Sequence, residues 1–183
     1  GKVAPNLAEL AFKGTRTSLS TLRAFSQRIP GAGGMLAQSL EDALEGRTIL
    51  VTGASSGIGQ EAARKIGAAG GSVFLVARTK DKLVKVRREI ERDGGIAHVY
   101  PCDLADPEEI DRMAADVLEA HGGVDILINN AGKSIRRSVE RSYERFHDYQ
   151  RTMQLNYFGP VKLMLDLLPG MRARGSGHII NIS

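Results

Sequence analysis

The stretch TGASSGIG, Thr52 to Gly59, decides how this chain is read. It follows the apolar run TILVT, Thr48–Thr52, which has strand length, and it leads into an amphipathic stretch from Ile58 to Ala69. A glycine-rich octet on its own says little. Between a strand and a helix, however, it predicts a loop that carries phosphates. Gly53 allows the tight turn. Gly57 and Gly59, which flank Ile58, let the backbone approach a pyrophosphate and let the helix pack close to the sheet. The helix N-terminus adds free amides and a partial positive charge, and Ser55 and Ser56 add hydroxyl donors.

Outward from that loop, short apolar runs alternate with amphipathic stretches in a β-α-β rhythm. Strands are predicted at Thr48–Thr52, Ser72–Ala77, Ile96–Tyr100, Val124–Ile128 and His178–Ile182, the last read as buried. Helices are predicted at Ile58–Ala69, Lys80–Asp93 and Pro107–Ala120, with a long one from about Ser142 to Met171. Asp106 and Pro107 suit an N-cap and a first helical position. Gly70-Gly71, Gly94-Gly95 and Gly122-Gly123 supply left-handed helix ends. Parallel strands need such crossovers, so the expected fold is α/β, a doubly wound parallel sheet of Rossmann-like type with ligands at the carboxyl ends of its strands. Residues 46–183 form that domain and residues 1–45 an extension, partly helical through NLAELAF and SLSTLRAFSQRI.

Nineteen positions after Gly59, the second predicted strand ends on Arg78. In dinucleotide folds an acid about 20 residues past the glycines takes the ribose hydroxyls, whereas an arginine accommodates a 2′-phosphate. Arg78, with Thr79 and Lys80 beside it, therefore points to NADP(H) over NAD(H).

Composition bounds the rest. Hydrophobic residues make up 42% and charged residues 25%, which argues against a disordered chain. No stretch approaches the roughly 20 apolar residues of a bilayer span, and no secretory leader is visible. A single cysteine, Cys102, cannot form an internal disulfide, so a cytoplasmic setting is expected. The formal charge of +4 is modest for a nucleic-acid binder. Five basic residues against Glu9 alone in residues 1–40 make the extension a candidate for peripheral membrane contact. The four histidines show no metal-ligand spacing, so no metal is expected.

Four motifs carry a family resemblance. TGASSGIG, CDL (Cys102–Leu104), NNAG (Asn129–Gly132) and QLNYFG (Gln154–Gly159) stand in an order and spacing that resembles the short-chain dehydrogenase/reductase family over residues 46–183. The resemblance implies that Asp103 bonds the adenine amino group and that Leu104 flanks the ring. It implies that Asn130, Ala131 and Gly132 line the cofactor, and that Asn156 holds a water in the proton relay. The segment Asn129–Gly159, with SIRRS after the asparagine pair, resembles a bacterial, largely actinobacterial, subgroup of fatty acyl-CoA reductases. There Arg136, Arg137, Arg141 and Arg145 become candidates to meet coenzyme A phosphates.

The family's proton donor is a tyrosine with a lysine four residues on, assisted by a serine. The residues four beyond Tyr100, Tyr143, Tyr149 and Tyr157 are Leu104, His147, Met153 and Val161. Ser183 aligns with the first of two serines that close the family's fifth strand, the second being catalytic. The chain is thus expected to be the N-terminal portion of a longer polypeptide, which the resemblance implies is a homo-oligomer in complete form. The implied activity is NADPH-dependent reduction of long-chain fatty acyl-CoA to aldehyde. A short-chain reductase of ketone, steroid or 3-oxoacyl substrates is the alternative within the family, and a nucleotide-binding module without turnover is the alternative outside it.

Overall fold

The computed structural model describes residues 39–182. The amphipathic stretches and the basic cluster expected within residues 1–38 lie outside them. In chain order the elements are α1 (Leu40–Leu44), β1 (Thr48–Thr52), α2 (Gly57–Ala68), β2 (Ser72–Ala77), α3 (Lys80–Arg92), β3 (Ile96–Pro101), α4 (Pro107–His121) and β4 (Ile126–Asn129). A 3-10 turn (Val139–Arg141), α5 (Phe146–Met153), a π-helical turn (Gln154–Phe158), α6 (Gly159–Ala173) and β5 (His178–Asn181) complete the order.

All five strands are parallel, in the order β3-β2-β1-β4-β5. The inner strands are apolar runs because helices cover both faces of the sheet. Alternate side chains divide between two cores. Ile49, Val51, Val73, Leu75 and Ile126 meet α1, α2 and α3 through residues such as Leu44, Ile66 and Val86. Leu50, Phe74, Val76 and Leu127 meet α4 and α6 through Ile110, Val117, Leu163 and Leu167. The chain steps outward from β1 to β3 and then crosses to β4 on the other side of β1. That reversal opens a crevice between the carboxyl ends of β1 and β4.

Helix ends follow the local chemistry. The Asp106 side chain accepts from the amides of Glu108 (2.9 Å) and Glu109 (3.3 Å), and Pro107 fills the first turn, where no amide is needed. Gly70, Gly94 and Gly122 adopt positive φ after their helices, as the glycine pairs predict. His98, Tyr100 and His121 pack around Phe74, with the Tyr100 hydroxyl 2.7 Å from His121 Nε2. These histidines are packing residues. No helix among the described residues is long and apolar enough to cross a membrane.

Three expectations are corrected. β4 begins at Ile126, not Val124, because Asp125 spends its carboxylate on the Thr48 amide (2.9 Å) and hydroxyl (3.1 Å) at the foot of the ladder. The single helix from Ser142 to Met171 is two helices joined by a π turn. Its start is displaced because Ser142 closes a 3-10 turn, with its amide on Val139 O (2.8 Å) and its hydroxyl on Ser138 O (3.0 Å). At the junction, Gly159 N donates to Gln154 O, five residues back. Pro160 has no N–H for the carbonyl four residues back, which is that of Asn156. Finally, among the described residues β5 pairs with β4 alone and is not buried: only Ile179 packs on a core, and Ile180 and Ile182 stay 44% and 47% exposed.

The cap yields a test of the local account. Asp106→Ala should lower stability by about 1 kcal/mol, the usual worth of such a cap, in urea unfolding followed by circular dichroism.

Candidate functional site

The site is built where β1 stops. Thr52, 1% exposed, accepts at Oγ1 from the amides of Asn130 (2.9 Å) and Ala131 (3.0 Å) and donates to Ile128 O (3.3 Å). The Asn130 side chain returns a bond from Nδ2 to Thr52 O (2.9 Å). The end of β1 is thereby knitted to the end of β4, and the glycine loop lies against the NNAG segment. A Cβ on Gly59 would stand 2.5 Å from both Asn130 Nδ2 and Gly53 O. One on Gly53, which has φ +67°, would stand 2.9 Å from Asn130 Nδ2 and 3.0 Å from Ala131 Cα. Gly57, with φ +59°, has nothing within 4 Å on its side-chain side. Two glycines are needed for packing, and the third presents bare backbone.

A cleft of about 460 Å³ opens over this junction. One wall is Gly53, Ser55, Ser56 and Ile58 from the loop, and another is Ala131 and Gly132, with Asn130 at their base. Arg78 and Thr79 from the end of β2 and Asp103 and Leu104 from the end of β3 close the far side. The residues predicted from the loop, the two strand ends and NNAG are thus brought together in one cleft, except that Gly57 and Gly59 shape its loop without lining it. Lys80 is not among them. It lies along a groove beside Tyr100 at the edge of β3, and Lys82 lines the cleft instead.

Helix capping matches this placement. Ser56 and Thr79, the N-cap residues of α2 and α3, make no side-chain capping bond, and both line the cleft. The α4 N-terminus has its protein cap, Asp106, which does not line the cleft. Open amides and positive helix ends are therefore presented where anionic phosphates would lie. The uncapped loop and the bare backbone at Gly57 fit a dinucleotide.

Around Asp103 the chain is firmly held. Its amide donates to Glu109 Oε2 (2.7 Å), and its Oδ1 accepts from Ala105 N (3.0 Å), so Oδ2 has no partner among the described residues. Leu104 is buried, and its carbonyl leaves no room for a Cβ on Gly159. Burial pushes the Cys102 thiol up to about 12, with Glu109 and Asp103 adding to the effect, so it stays protonated and inert as a nucleophile.

Asn156 sits in the π turn and does not line the cleft. Its Oδ1 accepts from Lys133 N and its Nδ2 donates to Lys133 O, both at 2.9 Å, which ties the strand extension after Gly132 to the helix. Asp148 works beside it. It bonds Arg137 (2.6 Å) and Arg145 (2.7 Å), and these two guanidiniums hold its carboxyl well below the usual carboxylate range. Two of the four candidate arginines are therefore engaged by protein, while Arg136 and Arg141 are exposed and make no ion pair among the described residues.

The model of the short chain dehydrogenase family matches residues 47–183. The chain belongs to that family. An uncharacterized oxidoreductase of Mycobacterium bovis is 60% identical over 149 residues, 80% of this chain and 44% of the relative. A fatty acyl-CoA reductase of Acinetobacter baylyi is 54% identical over 140 residues, 76% of this chain and 48% of the relative. The chain thus spans a little under half the length of both. Among solved structures, a metagenomic short-chain oxidoreductase in complex with NADP superposes with a TM-score of 0.73 at 40% identity, covering 77% of this chain and 63% of that one.

Sequence reasoning passed over Thr52, Lys82 and Asp148. For Thr52 the signal was in plain view as the first letter of the loop motif, but its partners lie on another strand.

Two outcomes follow for this junction. Gly59→Ala places a methyl against Asn130 and the Gly53 backbone, and should cost about 1–3 kcal/mol in chemical unfolding and abolish dinucleotide binding in calorimetry. Cys102 should resist iodoacetamide at pH 8 in the folded protein and react once urea unfolds it, as followed by mass spectrometry.

Proposed function

We propose that the complete protein is an NADPH-dependent reductase that converts long-chain fatty acyl-CoA to fatty aldehyde. The observation that carries the substrate is the 54% identity to the Acinetobacter baylyi reductase of that name. The cofactor half rests on Arg78, which lines the cleft at the end of β2 where an acid would favour NAD(H). When bound, the nicotinamide supplies a hydride to the thioester carbonyl, so that acyl-CoA, NADPH and a proton give aldehyde, NADP⁺ and free coenzyme A thiol.

The chain's own residues hold and orient. In this reading the α2 amides, with Ser55 and Ser56, bind the pyrophosphate. Asp103 Oδ2 accepts from the adenine amino group, and Leu104, Ala131 and Gly132 flank the nucleoside. Thr79 and Arg78 meet the 2′-phosphate. Asn156 fixes Lys133 through its side chain, and its carbonyl, left without the Pro160 amide, is the atom suited to hold a relay water. None of the four tyrosines has a lysine four residues on, so the proton donor in this reading is a residue outside Gly1–Ser183. Arg136 and Arg141, not engaged by Asp148, are the cations left for coenzyme A phosphates.

A homo-oligomer belongs to the same reading. Phe146, Tyr149, Met153, Tyr157, Leu165 and Leu168 leave apolar surface exposed along α5, the π turn and α6.

With palmitoyl-CoA and NADPH the complete protein should release free thiol in step with NADPH oxidation. Oxidation with a ketone panel but none with acyl-CoA would replace the substrate, and binding without oxidation on any carbonyl would leave a nucleotide-binding module. Arg78→Asp should weaken NADPH by at least about tenfold, roughly 1.4 kcal/mol, and shift preference toward NADH in steady-state kinetics. An unchanged preference would move the phosphate site elsewhere.

A further inference from the structure

We infer that Lys82 is a specificity-determining residue, a second cation that selects NADPH over NADH beside Arg78. The inference rests on the NADPH reading of the same cleft.

Three consecutive charges open α3, and helix geometry sends them in three directions. Lys80 lies along the groove at the β3 edge, beside Tyr100. Asp81 lies along an outer groove with Lys85 and Arg88. Lys82 alone of the three lines the cofactor cleft, with Arg78 and Thr79. The one acid of the first turn, Asp81, is therefore not on the wall where a phosphate would be repelled.

Neither cation is engaged elsewhere. Arg64, Arg137, Arg145 and Lys162 are each held by carboxylates of Glu89, Asp148 or Asp111 and Asp166, whereas Arg78 and Lys82 make no ion pair or side-chain hydrogen bond among the described residues. The 13-residue α3 adds a separate contribution. Its N-cap Thr79 leaves the side-chain hydroxyl off the helix, and its first amides have no intrahelical acceptor. A doubly charged phosphate at this end meets two free cations, open amides and a positive helix terminus. A ribose hydroxyl in the same place draws little from an ammonium group, so the energy of Lys82 falls on the difference between the cofactors.

Calorimetry of the complete protein with 2′,5′-ADP and with 5′-ADP isolates that difference without turnover. Wild type should bind 2′,5′-ADP the more tightly, and Lys82→Met should reduce the affinity ratio about tenfold, while Lys82→Arg keeps most of it. A ratio unchanged in Lys82→Met, or an equal loss for both ligands, overturns the role of Lys82 and leaves the NADPH reading standing. A wild-type protein that does not distinguish the two ligands overturns both.

Discussion

The reciprocal bonding of Thr52 with Asn130 is the constraint on which the rest of the site depends. One buried hydroxyl accepts from two successive amides at the end of β4 while the Asn130 side chain bonds back to the Thr52 carbonyl. Those bonds satisfy polar groups that would otherwise be buried without partners at the end of two central strands. They also bring the β1 loop so near to β4 that Gly53 and Gly59 have no room for a side chain. The crevice created by the strand order thus acquires a fixed floor, and the helix that follows is aimed across it.

Around that floor the protein separates charges that are used in folding from charges that are left free. Carboxylates hold Arg64, Arg137, Arg145 and Lys162, which join α2 to α3, the post-β4 segment to α5, and α4 to α6. Arg78 and Lys82 at the cleft are unpaired among the described residues. Of the three helices that follow β1, β2 and β3, α4 has a side-chain cap, and α2 and α3, whose N-cap residues line the cleft, have none. Free donors in a solvent-accessible cleft cost the fold little, because water can satisfy them in the absence of an anionic ligand.

Much of this was legible in the sequence because it is local. β1 and β2 have the expected bounds, since an apolar run ending in a glycine loop or a strand-end arginine is read within a few residues. The cap at Asp106 and the left-handed glycines are equally local. The failures involve partners far along the chain or small angular differences. The helix expected from Ser142 was misread because apolar spacing continues across the π turn, while Asp148 draws Arg137 and Arg145 into a preceding bend. β5 is apolar by composition, but burial depends on what packs over it, and among the described residues that is β4 and the core at Ile179 alone. Lys80 and Lys82 are equivalent by composition, and only the helix phase separates the one at the β3 edge from the one at the cleft. Thr52 reads correctly as the last residue of β1, but its bonding role is hidden because its donors, Asn130 and Ala131, follow β4.

The central claim is that the β1–β4 crevice holds NADP(H) with its phosphates on the α2 and α3 N-termini. A crystal structure of the complete protein with NADP⁺ tests it most directly. The account predicts the pyrophosphate against the amides of the Ser55–Gly59 loop, the adenine beside Asp103 and Leu104, and the 2′-phosphate at Arg78 and Thr79. A nucleotide bound elsewhere, or one whose 2′-phosphate points away from Arg78, would contradict it.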